Sequence, residues 1–162
     1  MTAEPGQAPD PHLERVRALA AQMLSAIPHA RALGLEVTRV ERGQVWGRTP
    51  YRPEIVGDPA TGVIAGGVIT TLLDNLSGFA VQSALEAHTT IATLDLRIDY
   101  MRAAEPGRDI LAMAECYKLT RSVAFVRGVA YDQDEADPVA NCTGAFMLHL
   151  GRKAGQNLKP PR

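Results

Sequence analysis

One carboxylate interrupts the run Gly66-Gly67-Val68-Ile69-Thr70-Thr71-Leu72-Leu73-Asp74-Asn75-Leu76-Ser77-Gly78-Phe79. At helical spacing Val68, Leu72, Leu76 and Phe79 form one apolar stripe, and Ile69, Leu73, Ala80 and Leu85 form a second. A helix with two apolar stripes packs on two sides. The remaining face carries Asp74 among Gly67, Thr70, Thr71, Ser77 and Gly78, all small. Desolvation penalises a charged carboxylate, and small neighbours leave room beside it for another molecule. Such a group can serve as a general base on water or as a nucleophile; an Asp that bonds nearby backbone, or one left exposed, is the structural alternative. The two glycines add a second element of chemistry. A helix N-terminus presents unpaired N–H groups and positive partial charge, and glycine lets a ligand approach the backbone closely. The Gly66 amide is therefore a candidate donor to an oxyanion, with close helix packing as the alternative reason for glycine. Eight residues separate Gly66 from Asp74, roughly 12 Å along one helix. That is too far for both to act on one carbonyl from one chain, so the spacing argues for a dimer.

The elements that must position these groups follow from periodicity and punctuation. An amphipathic helix is expected from His12 to about Ala26, with Leu13, Val16, Leu19/Ala20 and Met23/Leu24 on its apolar side and Pro28 as its stop. A short helical turn near 30–33 closes at Gly34. Two β-like runs, 35–41 and 44–51, meet at Arg42-Gly43, a hairpin turn. A loop at 52–62, rich in Gly, Pro and Asp, leads into the central helix, which ends near Ala87. Strands are then expected at 90–101, 109–119, 123–131 and 138–150. The first of these alternates throughout, with Ala92, Leu94, Leu96, Ile98 and Tyr100 on one face and Thr93, Asp95, Arg97, Asp99 and Met101 on the other. Short turns between these strands imply antiparallel neighbours. The expected class is α+β: one antiparallel sheet wrapped around a long central helix, with an extra N-terminal helix. This is the hotdog architecture. Its exposed sheet edges favour pairing between chains.

Composition bounds the remaining possibilities. The 162 residues suit one domain, expected over 12–150 between a disordered N-terminus (1–11) and a flexible tail (151–162). A formal net charge of -1, without basic runs, offers no footprint for nucleic acid or a membrane surface. The N-terminal residues lack the pattern of a signal peptide, and no apolar run approaches the ~20 residues of a membrane span. Cys116 and Cys142 have no metal or disulfide spacing, so a reduced, cytoplasmic protein without metal or other cofactor is expected.

The stretch "VGDPATGVIAGGVITTLLDN", residues 56–75, resembles the PaaI-type acyl-CoA thioesterases of the hotdog superfamily. Their pattern is a Gly-Asn-Pro-type loop, a Thr-Gly, a His-Gly-Gly, and an Asp nine residues after the His. Here Asp58 stands at the Asn, Thr61-Gly62 at the Thr-Gly, Ala65 at the His, Gly66-Gly67 at the glycines and Asp74 at the carboxylate. The later "TLDLRIDYMRAAEPG" resembles the strand that supplies a Ser or Thr at the position of Thr93. The resemblance spans roughly residues 28–150. It implies an acyl-CoA substrate, Asp74, Gly66, Thr93 and Asp58 as catalytic residues, and Ala65, Gly67, Asn75, Arg121 and Ser122 as substrate contacts. It also implies sites shared across a two-fold axis, in a dimer or dimer of dimers.

Two departures bear on activity. Ala65 replaces the family's His, and an ionised Asp58 cannot donate the hydrogen bond that Asn can. These substitutions support a second reading, a non-catalytic acyl-CoA-binding hotdog protein; retention of Asp74 opposes it. For Thr93, Asp58 and the Arg121-Ser122 pair, β-propensity, a turn before Pro59 and a solvated turn are the respective structural alternatives. His12, His29, His88 and His149 lie away from Asp74 in sequence, which argues against a hydratase relying on a His–carboxylate pair.

Overall fold

The structure, a computed structural model, describes residues 10–149; the tail expected at 151–162 and most of that expected at 1–11 lie outside these. Helix α1 (Pro11–Ala26) starts on Asp10, whose carboxylate accepts the His12 N–H at 2.8 Å. This is an N-cap, which satisfies one of the free donors of the first turn. Helix α2 (Pro28–Leu33) ends on Gly34 at φ 67°, a left-handed position suited to glycine. Strands β1 (Glu36–Glu41) and β2 (Gln44–Thr49) form the expected hairpin. A 3-10 turn (Pro53–Ile55) and two very short strands follow, β3 (Val56–Asp58) and β4 (Val63–Ile64), within what the sequence reads as a plain loop. Three- and two-residue strands carry no alternation to detect. Helix α3 (Gly66–Ala84) is the central helix, three residues shorter than expected. Strands β5 (Ile91–Tyr100), β6 (Ile110–Leu119), β7 (Val123–Tyr131) and β8 (Ala140–Leu148) complete the chain.

Six strands make one antiparallel sheet in the order β1-β2-β6-β7-β8-β5. Helix α3 lies across one face of the sheet, packed chiefly on β2, β6 and β7, and α1 packs beside β1 and α3. The two stripes of α3 are both covered: Leu72, Leu73 and Leu76 are almost fully buried, and Ser77 joins them rather than the open face. Two strand glycines seat the helix. A β-carbon at Gly47 would lie 2.5 Å from the Glu36 carbonyl oxygen and 2.7 Å from Leu76 Cδ2; one at Gly128 would lie 3.3 Å from Leu73 Cδ2. The leucines sit where side chains from the sheet would otherwise stand, which sets the rotation of α3 about its own axis. No helix among the described residues is long and apolar enough to cross a membrane.

β5 departs from the expected alternation. Its pairing with β8 slips between Thr93 and Asp95, leaving Leu94 as the extra residue of a β-bulge. A bulge reverses the parity of the strand. Leu96 and Ile98 pack into the core, yet Thr93 also faces α3, while Leu94 is 51% exposed. The expected opposition of Thr93 to the apolar face is therefore wrong, because one inserted residue moves every side chain before it to the other side.

Beyond β5, Arg102 holds the chain to the β7–β8 turn. Its guanidinium donates to both Asp132 oxygens at 2.9 and 2.6 Å, and Asp132 also accepts the Glu105 N–H at 2.7 Å. The Arg102 hydrogen bonds are the main reason the Asp132 carboxyl falls from its usual value to about 2. Asp132→Asn should cost roughly 1.5–3 kcal/mol at neutral pH, the scale of hydrogen bonds to a charged group. Because the folded value is depressed, this contribution is present above the ordinary carboxylate value near 3.8 and is lost as pH falls toward 2. Urea unfolding from pH 7 to 2.5 should show the gap between variant and wild type shrinking below pH 4.

Candidate active site

Asp74, Asn75 and Thr93 come together. Thr93 Oγ1 donates to Asp74 Oδ1 at 3.0 Å, across from β5 to α3. This contact exists because the bulge turns Thr93 inward. Thr93 has one proton to give, so Asp74 Oδ2 and the remaining lone pairs stay available to a water. Asp74 is half-buried and opens onto a groove of about 370 Å³ between α1, α3 and the start of β5. Asn75 lines the same groove, its Nδ2 donating back to the Thr71 carbonyl at 2.8 Å. Cys142 lies close enough for the Asp74 charge to act on it. Its thiol is pushed up to about 11, first by burial and further by that charge. It stays protonated at neutral pH and is no nucleophile.

The helix start is a separate place in the same chain. Ala65 is the N-cap and supplies no side-chain hydrogen bond; its carbonyl accepts the Val68 N–H at 3.0 Å. Helix geometry leaves the Gly66 and Gly67 N–H groups without intrahelical acceptors. No acidic side chain occupies the first turn to compete for them. The two glycines have different reasons to be glycine. A β-carbon at Gly66 would lie 3.0 Å from the Tyr100 hydroxyl and 3.1–3.3 Å from its ring; that hydroxyl donates to the Gly66 carbonyl at 2.7 Å and shares a hydrogen bond with Thr70 Oγ1 at 2.8 Å. A β-carbon at Gly67 would meet nothing within 4 Å. Gly66 is thus a packing position, and Gly67 borders open space. Tyr100 escaped the sequence reading, which counted it only as an apolar strand residue.

Asp58 and the Arg121-Ser122 pair stand apart from Asp74. Asp58 is exposed and spends its carboxylate inside its own turn, accepting from the Ala60 N–H at 3.0 Å and Thr61 Oγ1 at 2.8 Å. That is the turn role that its place before Pro59 allows. The β3–β4 hairpin nevertheless packs on the helix start, since a β-carbon at Gly57 would fall 2.8 Å from Ala65 Cα. Arg121 and Ser122 form the β6–β7 turn, where the Ser122 carbonyl accepts the Leu148 N–H at 2.8 Å. Their end of the sheet is the groove's end, since Leu148 pairs with Ile91, a groove residue; neither lines the groove itself. His88, set aside on sequence grounds, does line it, at the far end. It joins there an adjoining cleft with His12, Arg15 and Gln82, eight residues and about 12 Å along α3 from Asp74.

One antiparallel sheet packed on a long central helix is the hotdog fold, here with a half-buried Asp two turns from a Gly-Gly helix start. Comparison with known proteins gives the family. The family model described as "Thioesterase superfamily" matches residues 61–139. The "Medium/long-chain acyl-CoA thioesterase YigI" of Salmonella typhimurium is 31% identical over 135 residues, covering 75% of this chain and 86% of the relative. Among solved structures, a Pseudomonas aeruginosa protein is 44% identical at a TM-score of 0.73, covering 85% of this chain and 98% of that one. The Escherichia coli PaaI protein of the phenylacetic acid degradation operon shares the fold at 17% identity and a TM-score of 0.73, covering 85% and 95%. The chain belongs to the thioesterase superfamily.

The two glycines separate by substitution. Gly67→Ala should leave the fold intact and raise stability by up to about 1 kcal/mol through helix propensity, whereas Gly66→Ala should lower it by displacing Tyr100. Thermal unfolding of both variants beside wild type measures the difference.

Proposed function

We propose that the protein hydrolyses acyl-CoA thioesters in a site built from two chains, with Asp74 as the base or nucleophile and the Gly66 amide as oxyanion donor. The observation that carries this reading is the Thr93–Asp74 hydrogen bond beside an apolar groove. In the base form of the reaction, Asp74 takes a proton from water as the oxygen attacks the thioester carbonyl carbon. The carbonyl oxygen becomes an oxyanion, stabilised by helix N-terminal amides that grow in value as charge develops. Collapse of the intermediate breaks the carbon–sulfur bond, and the departing thiolate recovers the proton from Asp74. In the nucleophile form, the Asp74 carboxylate attacks the carbonyl carbon, the carbon–sulfur bond breaks and the thiolate leaves a mixed anhydride; water then cleaves the anhydride, releasing the acid, restoring the carboxylate and supplying the proton that the thiolate takes up. Thr93 orients the carboxylate in either case.

The edge strand supports a second copy as the source of the oxyanion donors. α3 and β5 run antiparallel, with Asp74 beside Thr93 at one end and Gly66 beside Tyr100 at the other. Among the described residues nothing pairs with the outer edge of β5, on which Leu94 and Tyr100 are each 51% exposed. Two such edges paired antiparallel about a two-fold axis set the Thr93 end of one strand against the Tyr100 end of the other. Asp74 of each chain then faces the partner's helix start. Pairing of these dimers completes a tetramer. The free thiols of Cys116 and Cys142 fit a reducing, cytoplasmic setting. The named relative acts on medium and long acyl chains, and the apolar wall of the groove beside Asp74 suits a hydrocarbon chain.

The test is hydrolysis of acetyl-, hexanoyl-, decanoyl-, palmitoyl- and phenylacetyl-CoA by wild type and Asp74→Asn. The substitution should cut kcat at least ~100-fold on every substrate, the scale of one positioned acid–base group, while circular dichroism shows a retained fold. Full activity in Asp74→Asn would remove Asp74 from the mechanism; a wild type that binds these esters without cleaving them would favour the binding-protein reading.

A further inference from the structure

We propose that Gly78 determines which acyl chains are accepted, by leaving open the passage along which the chain runs away from Asp74. The inference rests on the thioesterase reading above and names the part of the substrate that fills the groove. Asp74, Gly78 and Gln82 recur every four residues and share one face of α3, and all three line the groove. A β-carbon at position 78 would stand 3.6 Å from Ile91 Cδ1 and 3.8 Å from Phe146 Cε1. A methyl there makes ordinary contacts. Anything longer crosses from helix to sheet and closes the passage one turn from the carboxylate.

The chemistry of the walls selects the occupant. A thioester held at Asp74 has two arms, a polar, amide-rich pantetheine and a hydrocarbon acyl chain. Beyond Asp74 the groove is walled by Leu19 and Met23 of α1, Phe79 of α3, and Ile91 and Phe146 of the sheet. An apolar wall of this kind rewards hydrocarbon and leaves amides unpaired. The far end is closed by a hydrogen-bonded knot: Gln82 Nε2 donates to the Thr89 carbonyl at 2.6 Å, and the Gln82 carbonyl lies 3.2 Å from His12 Nε2. Beyond it the adjoining cleft carries His12, Arg15, Glu86 and His88. The gain from each added methylene stops at this polar boundary, so the groove takes an unbranched acyl chain of medium length.

Two readouts test this. Calorimetric binding of non-hydrolysable S-ethyl-, S-hexyl-, S-decyl- and S-hexadecyl-CoA should show wild-type affinity rising with chain length, by up to about fourfold per buried methylene, and then levelling. In Gly78→Val the rise should flatten from the hexyl compound onward. The ratio of kcat/KM for decanoyl- over acetyl-CoA should fall at least ten-fold. Gly78→Ala should shift both readouts the same way by less, and Met23→Trp, at a position 39% exposed on the opposite wall, should narrow the passage without opening the core. Chain-length profiles in Gly78→Val and Met23→Trp that match wild type would overturn the inference. The binding series separates it from the catalytic reading: length-dependent binding that Gly78→Val flattens, with no hydrolysis by wild type, supports the groove and refutes the catalytic assignment alone. Hydrolysis with an unaltered profile does the reverse.

Discussion

A straight α-helix cannot turn its own N-terminus toward a residue two turns along it. Gly66 and Asp74 both belong to α3, and a rise of about 1.5 Å per residue keeps them roughly 12 Å apart whatever the side chains do. Much of the arrangement can be understood from that separation. The helix is held rigidly, with Leu73 and Leu76 lying over glycines of the sheet, so the Asp74 side chain has a fixed direction. That direction is toward β5, the edge strand, rather than toward the centre of the sheet. A carboxylate aimed at an unpaired edge strand is placed where a second copy could reach it, as the proposed shared site requires.

The same strand ties α3 at its start and at its middle. Thr93 orients the carboxylate, and Tyr100 packs on the helix start and holds the Gly66 carbonyl. Both are on β5, and the bulge at Leu94 lets both face the helix although they are separated by an odd number of residues. Without the extra residue, either Thr93 or Tyr100 would point to the outer face. Past Tyr100, the Arg102–Asp132 ion pair holds the end of the strand to the β7–β8 turn. The edge on which a second copy would pair is thus held at both ends by contacts within its own chain, and pre-ordering of this kind lowers the cost of association.

Most of the fold was legible in the sequence because long, periodic segments dominate it. The two stripes of α3, the Arg42-Gly43 turn and the run of four strands appear at nearly their expected bounds. The assignment of Asp74 to an open face among small residues also matches its position on the groove. The rest was hidden for specific reasons. Leu94 is apolar, so an inserted residue left the alternation of β5 looking unbroken while moving Thr93 to the other face. Gly47 and Gly128 interrupt strands, a signal of close approach, but nothing in the sequence says which helix residue approaches. Val16, Ala20 and Leu24 of α1 enter the core while Leu19 and Met23 wall the groove; in sequence they form one broad stripe, so the groove could not be seen. Ser77, expected beside Asp74 on the open face, is buried against the sheet because α3 is rotated further than its small residues imply.

The central claim is that Asp74 acts with the helix start of another copy, and complementation between inactive variants tests it most directly. Asp74→Asn removes the carboxylate, and Gly67→Leu places a side chain in the open space over the helix start. The two proteins are mixed in equal amounts, unfolded and refolded together, and assayed for acyl-CoA hydrolysis. A mixed dimer with shared sites holds one doubly damaged site and one intact site. Half of randomly formed dimers are mixed, so activity should recover to roughly a quarter of the wild-type level. Refolded mixtures that stay as inactive as either variant alone, with mixed dimers demonstrated by mass spectrometry, would contradict the shared site.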